Sequence, residues 1–308
     1  MKVRLLSLPP RCRATPSCSM SPLFDNLTSP KAFIRPVDSM SNRLCHIRHV
    51  ALDMDGTIYR GGTLFDFTRP FLAQLTGLGI GYTFLTNNSS KSVKDYVTLL
   101  HAMGIAATSD QIYTSTNATL EYLREALPAV RRLFVLGTAS MRAEIAAAGF
   151  TLTTESAEDE PDAVLVGFDT QLSFPRLCRA AYWIKQAKPF LASHPDRICP
   201  TDEPTVWVDC GAVCAALEAA TGRGPDAVLG KPSPRMLRGL LHKLDLRPEH
   251  LVMVGDRLYT DIALGKTAGV KTCLVLSGET KSEDLLDTIY QPDLVCENLA
   301  DLLQVFSN

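Results

Sequence analysis

The chain reads as an α/β protein organised around a mostly parallel sheet, on two observations. From about residue 48 onward, short apolar runs alternate with amphipathic helical stretches, the pattern of strands joined by crossover helices. Four of those runs end in small, polar and charged residues, and in open α/β sheets ligands sit beyond the carboxyl ends of the strands. The 308 residues leave room for two ordinary domains or one large one, with a substantial core.

The elements come in order. Val50–Leu52 predicts the first strand, a helix comes next around Arg69–Gly79, and Tyr82–Leu85 predicts the second strand. Val93, Tyr96, Val97, Leu100 and Met103 fall on one helical face, and Gly104 supplies the stop. A further helix runs from Asn117 to Leu127, ahead of Pro128. Leu133–Leu136, Ala163–Val166 and Phe190–Ala192 read as strands, with helices near Ser140–Ala148 and Pro175–Ala187 and an acidic surface loop at Glu155–Asp162. The helix Ala212–Ala220 ends in Thr-Gly-Arg-Gly-Pro, a strong break. Ala227–Leu229, Leu251–Val254, Thr272–Leu276 and Leu294–Val295 then predict strands, accompanied by helices Pro234–Leu244, Thr260–Ala268, Glu283–Ile289 and Leu299–Phe306.

Composition narrows the function classes. With 31 Lys and Arg against 33 Asp and Glu the net charge is −2, and no basic stripe with interleaved aromatics points to nucleic acid. The apolar runs are short and interrupted, so none is expected to span a bilayer. Nine cysteines lie scattered without a C-x-x-C pair, which fits free thiols in a reducing compartment and a cytoplasmic location. Cys210 and Cys214 can share a helix face, a weak basis for a metal site. Residues 1–45 are Arg-, Ser- and Pro-rich and poor in acids, and are expected to form a disordered tail. The same composition describes an organelle transit peptide, and Met20 or Met40 can be the true start.

The residues able to do chemistry gather directly behind four of the apolar runs. Asp53-Met-Asp55-Gly-Thr57 comes after the first, Thr86-Asn87-Asn88 after the second, Gly230-Lys231-Pro232 after Ala227–Leu229, and Gly255-Asp256-Arg257 after Leu251–Val254. If these runs are neighbouring parallel strands, one site receives three carboxylates, a lysine, a hydroxyl and free backbone N–H groups. That mixture suits a metal ion and a phosphoryl group in one pocket. Each motif has a bland alternative. D-x-D-G is often a solvated turn, Thr86 can be an N-cap, Asn-Asn is common in turns, and Gly-Lys-Pro can open a helix. Four together, in this order, carry more weight than any one.

At these residues the sequence resembles the haloacid dehalogenase (HAD) superfamily. Asp53-x-Asp55-Gly-Thr57, Thr86-Asn-Asn, Gly-Lys231-Pro and Gly-Asp256-Arg-x-x-x-Asp261 look like its four motifs, and the wording is closest to its NagD-like subclass of phosphatases. The resemblance covers about residues 48–280. It implies a Rossmann-like parallel core, residues 46–129 and 225–308, with an inserted α/β cap at 130–224. Asp53 would be the nucleophile, forming an aspartyl-phosphate, and Asp55 the general acid and base. Asp53, the main-chain carbonyl of Asp55, and Asp256 would hold Mg²⁺. Lys231, Thr86, Asn87 and Asn88 would bind the phosphoryl oxygens. Asp261 would orient Lys231 or the metal's surroundings, or act only as a helix-dipole partner. His194, where many relatives carry Thr-Asn-x-Asp, would contact substrate or be a surface-loop histidine.

About 140 residues separate the second motif from the third, far more than a connection needs. A cap of that size would exclude water and select the leaving group. The implied partner is a small-molecule phosphate ester, and the implied assembly a homodimer through the cap. A phosphotransferase on the same fold and a non-catalytic phosphate- or metal-binding module stand as alternatives; Asp55 favours phosphate monoester chemistry over dehalogenation.

Overall fold

In the computed structural model the described residues are 44–199, 201 and 204–307, so the tail read at 1–45 lies, up to residue 43, outside them. The chain begins with β1 (His49–Asp53), a small hairpin β2 (Tyr59–Arg60) and β3 (Thr63–Leu64), then α1 (Thr68–Gly77), β4 (Gly81–Thr86), α2 (Val93–Ala102), β5 (Ile112–Thr114) and α3 (Ser115–Ala126). It continues through β6 (Arg132–Leu136), α4 (Ala139–Ala147), β7 (Thr151–Leu152), β8 (Ala163–Val166), α5 (Phe174–Lys185) and β9 (Phe190–Ala192). A second hairpin, β10 (Ile198–Cys199) and β11 (Trp207–Val208), precedes α6 (Cys210–Thr221) and β12 (Ala227–Val228). The last stretch is α7 (Arg235–Leu244), β13 (Leu251–Gly255), α8 (Ala263–Ala268), β14 (Lys271–Val275), β15 (Leu294–Cys296) and α9 (Leu299–Ser307).

Two parallel sheets result. The first has the order β15-β14-β13-β1-β4-β5, and the stretch between α3 and α7 holds the second, β12-β9-β8-β6-β7. Because β1 is central, helices cover both its faces and all five of its residues are buried. The period of two assigns alternate residues to opposite sides. Val50 and Leu52 pack with Phe71, Leu75, Tyr96, Leu100 and the α9 leucines, whereas Ala51 packs with Met236, Leu240 and Leu264. Each leucine-sized side chain so buried contributes about 1.5–3 kcal/mol.

The second sheet is built the same way. Phe134, Leu136, Val164 and Val166 face α5 and α6, and Val135 and Leu165 face α4 and the Leu120 and Leu123 side of α3. Helix α3 also sends Ala118 into the first sheet's core, so it serves both. Cys210 and Cys214 share the buried face of α6 and belong to this packing. Caps set the helix ends: Ser92 and Asp95 form a capping box on α2, Asp209 caps α6, and Gly222 at φ 75° ends it.

One element departs from expectation. The run Ala227–Leu229, expected among the core strands at 225–308, pairs in parallel with β9 at the edge of the second sheet. Lys231 therefore enters the site from the segment leaving the edge of the second sheet, not from a strand end of the first. Four short pieces were also unmarked in the pattern, β5, β7 and the two hairpins, because two or three residues are too few to show a period.

Candidate active site

Strand order reverses direction around β1: the chain first adds β4 on one side and later β13 on the other. That arrangement opens a crevice beyond the carboxyl ends of the central strands. Asp53 is the last residue of β1, Thr86 the last of β4, and Asp256 comes after Gly255 at the end of β13. Gly56, at φ 85°, turns the chain sharply after Asp55, and its N–H donates to the carbonyl of Tyr59 at 2.7 Å. The Thr57 hydroxyl donates to Asp53 Oδ2 at 3.3 Å.

Lys231 is the hub. Its ammonium donates to Asp53 Oδ1 and, at 2.7 Å, to Asp261 Oδ1. Asn87 holds the lysine's main chain from both sides, accepting from Lys231 N at 2.7 Å and donating to Lys231 O at 2.9 Å. Burial opposes the charge on Lys231, but Asp261 and Asp53 outweigh it and keep the amine protonated well above its usual range. Asp261 is completely buried. A π-helical turn at Leu258–Ile262 replaces the expected start of an α-helix and aims Asp261 back at Lys231, while its Oδ2 accepts from Arg257 N at 3.1 Å. Its partner is thus a lysine rather than a helix dipole.

Asp53, Asp55, Thr86, Asn87, Asn88 and Lys231 line one cavity of about 50 Å³. Adjoining cavities of about 310 and 510 Å³ share Arg257 with it, and Asp55 also lines the first of these. Two details differ from expectation. The Asn88 N–H is engaged by Thr86 Oγ1 at 3.2 Å, and the Asn87 side chain is a clamp on Lys231.

Two family models match, haloacid dehalogenase-like hydrolase over residues 50–151 and HAD-hydrolase-like over 228–302. The chain is 32% identical over 256 residues to the ribonucleotide monophosphatase NagD of Escherichia coli, covering 83% of this chain and 98% of NagD. It belongs to the HAD superfamily, among the NagD-like phosphatases. A solved 4-nitrophenylphosphatase of Thermotoga maritima superposes with TM-score 0.80 at 39% identity, over 85% of this chain and 98% of that one. The glycerol phosphate phosphatase of Mycobacterium tuberculosis, solved in complex with magnesium, superposes with TM-score 0.77 at 28% identity, over 87% and 78% of the two chains.

This NagD-like phosphatase has a carboxylate cluster suited to a divalent cation. Asp53, Asp256 and Asp261 each bring a carboxylate oxygen within 4.8 Å of the others. Asp256 Oδ2 accepts from Glu279 N at 2.6 Å, but its Oδ1 is buried with no hydrogen-bond partner. Burial, with Asp53 and Asp261 nearby, pushes the Asp256 carboxyl far above the carboxylate range. An orphaned oxygen among crowded acids is costly unless a cation sits there, so the residues fit a hard metal ion.

His194 is not brought to the cavity. It is fully buried, neither a surface-loop residue nor part of the pocket lining. It lies just beyond β9, an interior strand, and the chain there runs beneath the core loop: Ser193 Oγ donates to Ser89 Oγ at 3.2 Å. Asp196, Asp209 and Arg257 stand in the lining instead, and none of them was singled out as a site residue from the sequence. Asp209, ahead of a helix, reads as a plain N-cap; Arg257, adjacent to Asp256, was the one with a visible signal.

Proposed function

We propose that this phosphatase hydrolyses small-molecule phosphate monoesters through a covalent phospho-aspartate on Asp53, with Mg²⁺ as its cofactor. What carries the reading is the meeting of Lys231 with Asp53 and Asp261, next to the orphaned oxygen of Asp256. A carboxylate oxygen of Asp53 attacks phosphorus as the bond to the ester oxygen breaks, and Asp55 gives that oxygen a proton. Asp55 then takes a proton from water, the water oxygen attacks phosphorus, and Asp53 is released with inorganic phosphate. Lys231 and the Thr86–Asn88 turn stabilise charge on the phosphoryl oxygens. Asp53, the carbonyl of Asp55, and Asp256 would hold the magnesium ion, whose charge offsets the negative charge gathered there.

The test is phosphate release from p-nitrophenyl phosphate, removed by chelation and restored by Mg²⁺. Folded, metal-loaded protein without turnover on any ester of a broad panel would leave only a binding module. Phosphate appearing on an added alcohol would make the chain a transferase. Gly278 offers a second check, because a Cβ there would overlap the Asp256 carboxylate. Gly278→Ala is expected to raise the magnesium concentration for half-activation by about 10- to 100-fold and to lower the melting temperature as the buried carboxylate shifts. An unchanged magnesium requirement would remove Asp256 from the metal's ligands.

The finer organisation extends from the same reading. Cys178, Cys210, Cys214, Cys273 and Cys296 are free thiols, which supports the cytoplasm, and no described helix is long and apolar enough to cross a membrane. Exposed Phe174 and Tyr182 on α5 support a homodimer through the inserted domain.

A further inference from the structure

Between the active-site cavity and the second sheet lies a buried ionisable group that the chemistry above leaves unused. His194 Nδ1 is 3.6 Å from Asp196 Oδ2, and its Nε2 is 3.5 Å from Asp209 Oδ1 and 3.5 Å from Ser89 Oγ. Asp196 continues the chain of contacts, accepting from Asn87 Nδ2 at 3.2 and 3.1 Å on its two oxygens. That same Asn87 amide clamps the main chain of Lys231. Gly230 N donates to Ser193 O at 2.7 Å, and a Cβ on Gly230 would collide with Asn87, Ser193 and His194. The histidine's loop is thus pressed against the backbone from which Lys231 extends.

We propose that His194 is a positioning residue for Lys231: its imidazole lies as an ion-pair partner between Asp196 and Asp209, with no hydrogen bond at Nδ1, and Asp196 in turn holds Asn87 and the lysine's main chain in register with Asp53. The inference rests on the reading of Lys231 as the cation that faces the transferred phosphoryl group. Two buried carboxylates this close to one ring repel each other unless a positive charge lies between them. The groups facing His194 are Asp196 on its own loop, Asp209 and Cys210 at the start of α6, and the neutral Ser89 of the core loop. Burial alone would lower its pKa, but Cys210, Asp196 and Asp209 outweigh that and carry it to about 9. The two carboxylates flanking the ring favour its protonated form. Its stabilising charge is complete below the unfolded value near 6.5 and is lost as pH rises through about 9.

The experiment compares full-length wild type, His194→Gln and His194→Gln/Asp209→Asn on an aryl and an alkyl phosphate at saturating Mg²⁺. His194→Gln is expected to lose about tenfold or more in kcat on both esters, with KM changed by less than about twofold, since a displaced lysine slows the chemical step. Removing the second carboxylate relieves the repulsion, so the double variant is expected to regain about threefold or more. Undiminished kcat in folded His194→Gln, a KM rise on one ester alone, or no recovery in the double variant overturns the proposal. Should His194→Gln not fold, NMR titration of the wild-type imidazole decides: a midpoint near 9 supports it, and one below about 6.5 overturns it. Wild type inactive on both esters overturns the phosphatase reading itself; active wild type with an indifferent His194 overturns this inference alone.

Discussion

Asp53→Asn is expected to lower kcat by on the order of 10⁴-fold or more, with the fold intact. The side chains have the same shape, so packing at the end of β1 is retained, and Lys231 keeps Asp261 as its anionic partner. The amide is a far poorer nucleophile than the carboxylate, so the first displacement fails. Two measurements check this. Steady-state release of p-nitrophenol reports the rate, and acid quench after exposure to radiolabelled substrate reports the covalent phosphoryl group. Label on wild type and none on the variant is the expected pair. Label retained on Asp53→Asn would put the nucleophile elsewhere.

Lys231→Met acts on stability as well as rate. The loss of a preorganised cation at the phosphoryl group is expected to reduce kcat by about 10²–10³-fold. The variant also leaves Asp53 and Asp261 buried around an apolar side chain, and removing one partner of a buried pair costs about 3–5 kcal/mol. The carboxylates set the sign of the pH dependence. Burial already raises the carboxyls of Asp256 and Asp261 in the intact cluster, and without the ammonium their folded pKa values rise further. Ionisation then penalises the folded state once pH exceeds the unfolded value of about 4, and the penalty is complete above the raised folded values. In metal-free buffer the gap in melting temperature between wild type and variant should narrow as pH falls from about 8 to about 5. A gap that stays constant or widens toward acid would mean that Lys231 does not neutralise this cluster.

The parts of the site that were legible in the sequence are those placed directly after a strand. Asp53, Thr86 and Asp256 could be found because an apolar run of three or four residues has a visible end, and a parallel sheet sets such ends side by side. Asp261 and the choice between Lys231 and a helix dipole as its partner came from the motif resemblance, but the π-helical turn that aims it at Lys231 leaves no periodic trace. Lys231 was expected behind a core strand, and the strand ahead of it lies at the edge of the second sheet instead: a two-residue edge strand looks the same in either sheet.

The sequence by itself determined the α/β class, the order of the longer strands and helices, and the acids and lysine that meet at the carboxyl edge, because hydrophobic period and motif spacing are local properties. Only the tertiary structure decided which sheet received Ala227–Val228, that Asn87 clamps a backbone 144 residues away, and that His194 lies buried between Asp196 and Asp209. Those contacts join residues far apart in the chain, and their energies come from burial and from charge pairing across the two sheets. Neither quantity exists until the chain has closed on itself.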